Sequence, residues 1–160
     1  MHDICKLDTL FAELGTRYGI ANLRLPPHGA VGLRLKDGTE LHLEYEKARG
    51  TLYAYCNVLP IPGDDASRLK LFAHMLELNF LDSGIDNGAL SMQKDMAVCH
   101  VRFRIADVPF DAFDRALQKL LTRRLDIAKQ LRAGMTSDTP KAARASRSTF
   151  TLMTALRQES

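Results

Sequence analysis

The run from Val31 to Glu46, VGLRLKDGTELHLEYE, constrains the fold more than any other part of the chain. Val31, Leu33 and Leu35 alternate with Gly32, Arg34 and Lys36, and Leu41, Leu43 and Tyr45 alternate with His42, Glu44 and Glu46. A period of two places all the apolar side chains of a strand on one face. Asp37-Gly38 between the runs is a hairpin signal, because both residues tolerate the positive φ angles such turns need. The segment predicts an antiparallel ribbon with one apolar and one polar face, so a layer of other elements must cover one side.

The flanking segments supply that layer and more strands. Leu7, Leu10, Phe11, Leu14 and Tyr18 recur at steps of three and four, which predicts a helix from Asp8 to Tyr18, with Gly15 and Gly19 weakening its end. After a turn at 47–50, TLYAYCNVLP reads as a third strand rich in aromatic and β-favouring residues. Pro60-Ile61-Pro62-Gly63 ends it, and Asp64 or Asp65 caps a helix over 66–80. GALSMQK and AVCHVRFRI predict a second hairpin about Lys94-Asp95-Met96. A third helix starts near Pro109, with Asp107 as its cap and Phe110, Phe113, Leu117, Leu120, Leu121 and Leu131 on its apolar side. The expected fold is α+β, a five-stranded antiparallel sheet with three helices in the order α-β-β-β-α-β-β-α.

A chain of 160 residues fits one domain and a tail, read here as a domain over 1–132 and a flexible, mildly basic tail over 133–160. The tail is small and polar, with Lys141, Arg144, Arg147 and Arg157 against Asp138 and Glu159. It cannot bury enough surface to offset its ordering entropy. A short apolar cluster, Phe150, Leu152, Met153 and Leu156, interrupts it. Outside the tail, basic and acidic residues nearly balance within a formal net charge of +3. The three cysteines, Cys5, Cys56 and Cys99, are odd in number and far apart, which suits a reducing compartment. No signal peptide or stretch of about 18 apolar residues is present, so a cytoplasmic protein is expected.

Searches for chemistry return nothing that converges. His2, His28, His42, His74 and His100 lack metal-ligand spacing, the glycines spell no phosphate loop, and Ser67, Ser83 and Ser91 sit in no nucleophile elbow. No enzyme, metal or cofactor is expected. Arg34, Lys36, Arg102 and Arg104 could begin a nucleic-acid track, but Glu44 and Glu46 interrupt it, so nucleic acid is not the expected partner.

The middle helix, ASRLKLFAHMLELNFL, carries two apolar lines: Leu69, Phe72, Leu76 and Phe80, and Leu71, Met75 and Leu78. A helix on one sheet buries a single stripe of roughly 100°. The second line is therefore expected to meet its own copy across a two-fold axis, with cover from elsewhere in the chain as the alternative.

With these elements in order, LDTLFAELGTRYGI, VGLRLKDGTELHLEYE, TLYAYCNVLPIP, RLKLFAHMLELNFLDSGIDNGALSMQKD and AVCHVRFRIADVPFDAFDRALQKLL together resemble the class I type III secretion chaperones, the Tir-chaperone (CesT-like) family, from Leu7 to Arg132. The resemblance implies a non-enzymatic homodimer in a bacterial cytoplasm that takes no cofactor. Such a chaperone binds the N-terminal segment of a secreted effector, keeps it extended and delivers it to the export apparatus, with the export ATPase as a further partner. The implied dimer contact uses Leu71, Met75, Leu78, Leu90 and Met92. Candidate effector-binding residues are Leu10, Phe11, Leu14, Val31, Leu33, Leu35, Leu41, Leu43 and Tyr53. Alternation reports burial and not what does the burying, so a core role competes for each of them. The family is typically acidic, whereas this chain has a pI near 8.8. The alternative function is a small adaptor that binds a folded partner or nucleic acid through its basic tail.

Overall fold

The structure, a computed structural model, describes residues 2–80 and 88–136. The elements run α1 (His2–Tyr18), β1 (Ala30–Arg34), β2 (Glu40–Glu46), β3 (Thr51–Pro60), α2 (Asp65–Phe80), β4 (Gly88–Gln93), β5 (Met96–Arg104) and α3 (Phe110–Thr136). The five strands form one antiparallel sheet in the order β1-β2-β3-β5-β4, as the alternation predicts. Helix α1 starts at His2, ahead of the Asp8 that its apolar period suggests. Helix α3 runs on through Thr136, so residues 133–136, assigned to the tail, are helical. The rest of the tail, with Phe150, Leu152, Met153 and Leu156, lies outside the described residues.

Register explains the one-sided core. Leu33, Leu41, Cys56, Cys99 and Leu90 form one row across all five strands, and Val31, Leu43, Ala54 and Val101 the next. Leu43, Ala54, Cys56 and Cys99 are fully buried where α3 crosses β3 and β5. Phe103 and Phe113 meet edge to face at 4.8 Å across this layer. A bulge between Asn57 and Leu59 turns both Val58 and Leu59 inward at the end of β3. On the opposite face no helix of the described residues packs, and polar side chains satisfy one another. His42 lies over Gly32 and stacks on Tyr55 at 4.9 Å, Ser91 pairs with His100 at 3.1 Å, and the Tyr53 hydroxyl donates to Glu46.

Local chemistry sets the element ends. The Asp64 carboxylate accepts the Ser67 N–H at 2.8 Å, an N-cap that also holds its carboxyl below the usual range. Asp107 does not cap α3. Its carboxylate faces Arg104 at 3.7 Å, and the carbonyl of Pro109 starts the helix by accepting the Phe113 N–H. At the end of α1, Gly19 takes φ +68° and the Ile20 N–H returns to the Gly15 carbonyl at 2.8 Å, a Schellman closure. That closure brings the chain so near Gly15 that a Cβ there would lie 2.7 Å from the Ile20 carbonyl oxygen and 3.1 Å from Leu23 Cβ. Nearby, the buried Asp114 accepts the Tyr18 hydroxyl at 2.6 Å and Gln118 at 3.0 Å and pairs with Arg17 at 3.3 Å, tying α1 to α3.

Helix propensity alone favours Gly15→Ala by about 1 kcal/mol. The close approach should win, so Gly15→Ala is expected to destabilise the fold by about 1–3 kcal/mol in urea unfolding. A stabilised variant would show that the α1 turn yields without strain.

Candidate functional site

At the β1 end of the sheet the helices stop short and leave an apolar groove of about 450 Å³. Leu14, Tyr18 and Ile20 line it from the end of α1, Leu33, Leu35 and Leu41 from the first hairpin, and Leu117 and Leu121 from α3. Each wall has a local cause. The Schellman turn swings Ile20 toward the groove in place of a further turn of helix. The hairpin is held by Leu35 N–H to the Thr39 carbonyl at 2.8 Å, with Gly38 at φ +82° and the Asp37 carboxylate accepting the Thr39 N–H at 2.9 Å. Arg124 of α3 buttresses the same turn, donating to the Thr39 hydroxyl at 2.6 Å.

Arg34, Lys36 and Asp37 form the charged rim. Arg34 is paired with Glu40 at 2.6 Å, and that pairing holds the Glu40 carboxyl below its ordinary range. Backbone hydrogen bonding from Thr39 does the same for Asp37. Larger recesses, of about 800, 720 and 590 Å³, have more polar linings, with Asp8, Thr16 and Arg24 in the first, Arg102, Arg115 and Lys119 in the second and Thr9, Glu13 and Arg17 in the third. Among the described residues no three His, Cys, Asp or Glu side chains gather to hold a metal, and no helix is long and apolar enough to cross a membrane.

The groove lies along a sheet edge. Tyr45 N–H bonds to the Gly29 carbonyl and Leu35 N–H to Thr39, with Val31 opposite Leu43 and Leu33 opposite Leu41. The odd-numbered residues therefore bond to β2, and the N–H and C=O groups of Ala30, Gly32 and Arg34 point off the edge. What the arrangement can do is hold an extended segment: backbone hydrogen bonds along β1 and apolar side chains turned into the groove.

Of the candidate effector-binding residues, Leu33 and Leu35 are half-buried on the groove wall, whereas Leu14 and Leu41 lie at its floor, 1% and 4% exposed, and belong to the core. Val31 is half-buried on the same face of β1. Leu10, Phe11 and Leu43 are core, and Tyr53 lies on the opposite sheet face. Tyr18, Ile20, Leu117 and Leu121 were not among the candidates. The sequence marks Tyr18, Leu117 and Leu121 only as helix faces, and Ile20 is an isolated apolar residue after a helix stop, which is the available signal for a surface that a turn presents.

On α2 the two lines are reversed from the expectation. Leu71 is fully buried and Met75 nearly so, whereas Leu69, Leu76 and Phe80 are 72%, 70% and 87% exposed; Phe72, the fourth member of that line, departs from the reversal and is half-buried against the core. Leu90 is buried as well, Leu78 is half-buried, and Met92 is exposed. A side chain with no area left in the protomer has none to contribute to a partner, so Leu71, Met75 and Leu90 serve the protomer's own core.

Comparison with curated proteins returns no match. Among solved structures, a chain of the ExsC–ExsE complex matches with a TM-score of 0.67 at 17% identity, covering 80% of this chain and 95% of that one. The heterodimeric ExoU–SpcU complex of the type III secretion system of Pseudomonas aeruginosa gives a TM-score of 0.59 at 21% identity, with 79% and 98% covered. The Yersinia pestis type III secretion chaperone SycH, in complex with a fragment of YscM2, gives 0.58 at 15% identity, with 76% and 98% covered. These likenesses establish a shared fold. The Tir chaperone protein (CesT) family model matches residues 9–132, most of the chain and every described strand, and the chain belongs to that family.

Proposed function

We propose that this protein is a non-enzymatic, cytoplasmic chaperone that binds the N-terminal segment of a type III secreted effector and keeps it extended for export. The observation that carries this reading is the apolar groove beside the open backbone of Ala30, Gly32 and Arg34. Family membership and the chaperone complexes among its structural neighbours support it. An extended segment gains many shallow contacts there, and apolar burial holds against salt where a phosphate-binding surface would not. The same reading makes the export ATPase the next partner of the loaded chaperone.

The reading includes a homodimer. Leu69, Leu76 and Phe80 recur at seven- and four-residue steps on one side of α2, and Met92 of β4 is exposed as well. A cluster of exposed large apolar side chains on one element marks an interaction surface, and a two-fold interface requires such a patch to be self-complementary.

Co-expression with the first 100 or so residues of an effector encoded nearby, on the usual domain scale, should yield a complex that survives moderate salt. Ile20→Asp and Leu33→Asp should weaken it at least about tenfold, by setting a charge on the groove wall. Gly32→Pro should do the same by another route, since it removes only an outward N–H and blocks the edge while leaving the β1–β2 ladder intact. Retention of the complex in all three variants would move the effector to another surface.

Phe80→Glu and Leu76→Glu should each convert the dimer to a folded monomer in sedimentation. Leu71→Glu should instead unfold the chain, because it buries a charge in the protomer core. A dimer unchanged by both outward substitutions would exclude this face of α2.

A further inference from the structure

The two edges of the sheet are not alike. At β1 the outward backbone groups meet no side chain of the described residues, whereas at β4 the central pair is already taken. The Leu90 N–H donates to Asn79 Oδ1 at 2.7 Å, and the Leu90 carbonyl accepts from Asn79 Nδ2 at 3.0 Å. Leu90 is the residue of β4 whose backbone must point away from β5. Ala89 and Ser91, opposite His100 and Val98, carry the ladder, and alternation turns the residue between them outward. A carboxamide presents one acceptor and one donor in a plane, the same pair that a residue of a neighbouring antiparallel strand would offer. Asn79, in the last turn of α2, thus stands where one residue of a sixth strand would stand.

We infer that Asn79 is an edge guard: its side chain makes β4 unavailable to strand addition and leaves β1 as the edge of the described sheet open to an extended partner. An exposed strand edge templates pairing with any other strand, and proteins that use one edge must close the other. Beyond Leu90, the nearest outward position toward the hairpin is Met92, a single residue beside that turn. Gly88 points outward by the same alternation on the other side of Leu90, so among the described residues an incoming strand would have to displace the Asn79 amide to find two consecutive bonding positions. The geometry also accounts for the placement of α2, since the guard works only if the last turn of that helix lies alongside β4. The consequence for client choice rests on the chaperone reading above, but the closure of the edge does not.

The test uses the full chain in a Phe80→Glu background, so that association through the exposed face of α2 does not mask pairing through the strand. In Asn79→Leu, which removes both bonds at similar volume, the Leu90 amide should exchange with solvent at least about tenfold faster by NMR, the factor for one lost hydrogen bond. The same variant should form a concentration-dependent species of twice the parent mass in sedimentation velocity. Asn79→Ala carries the same expectation if the leucine variant does not fold. Asn79→Asp keeps the acceptor for the Leu90 N–H and adds a charge at the edge, so it should keep slow exchange and stay unassociated. Folded Leu or Ala variants with unchanged Leu90 exchange, or with faster exchange and no new association, would overturn the guard. Neither readout involves an effector, so a failure here leaves the groove reading standing, and the loss of the groove reading leaves this one untouched.

Discussion

Every helix of the described protein packs on the same face of the sheet, and this one-sided covering determines the rest. Five antiparallel strands are wider than the helices laid across them. Helix α3 crosses the central strands β3 and β5, α2 takes the β4 side, and α1 rests on α3. What remains is the β1 margin, where Leu33 and Leu35 project from the sheet with little above them. The groove is therefore not carved by special residues. It is the uncovered remainder of the core, continuous with Leu14, Leu41 and Leu117, and its apolar character follows from the alternation that built the hairpin.

That origin explains both what was legible in the sequence and what was not. The sheet, its register faces and the first hairpin could be read because a period of two has one interpretation once a turn is found. Strand β3 was delimited to the residue by Gly50 and Pro60. The groove residues could be read only as apolar positions, since Leu33 at the margin and Leu43 in the core follow the same pattern. What separates them is how far α1 and α3 reach across the sheet, and that depends on tertiary packing. Helix α2 was ambiguous for a related reason. Both of its lines are rich in large apolar side chains, and only weak neighbours distinguish them, such as Glu77 at about 60° from Phe80 and about 160° from Met75 around the helix. Charge proximity favoured Phe80 as the outward residue, a signal fainter than the apolar pattern itself.

Electrostatics plays a local part. Two charged groups of the rim are tied to their own hairpin, Arg34 by Glu40 and Asp37 by the Thr39 N–H, and so stabilise the turn that shapes the groove. On the polar face of the sheet, burial pushes the His100 imidazole toward its neutral form, assisted by Arg102, which is consistent with its hydrogen bond to Ser91. These contacts satisfy polar groups on a sheet face that no described helix covers.

Helix α3 extends without interruption from the groove wall at Leu117 and Leu121 to Gly134, where the missing side chain leaves room for the ring of His74 on α2. At 27 residues the helix is about 40 Å long. One continuous element therefore supplies the groove wall at one end and the seat for the α2 imidazole at the other, so a single helix fixes the distance between them.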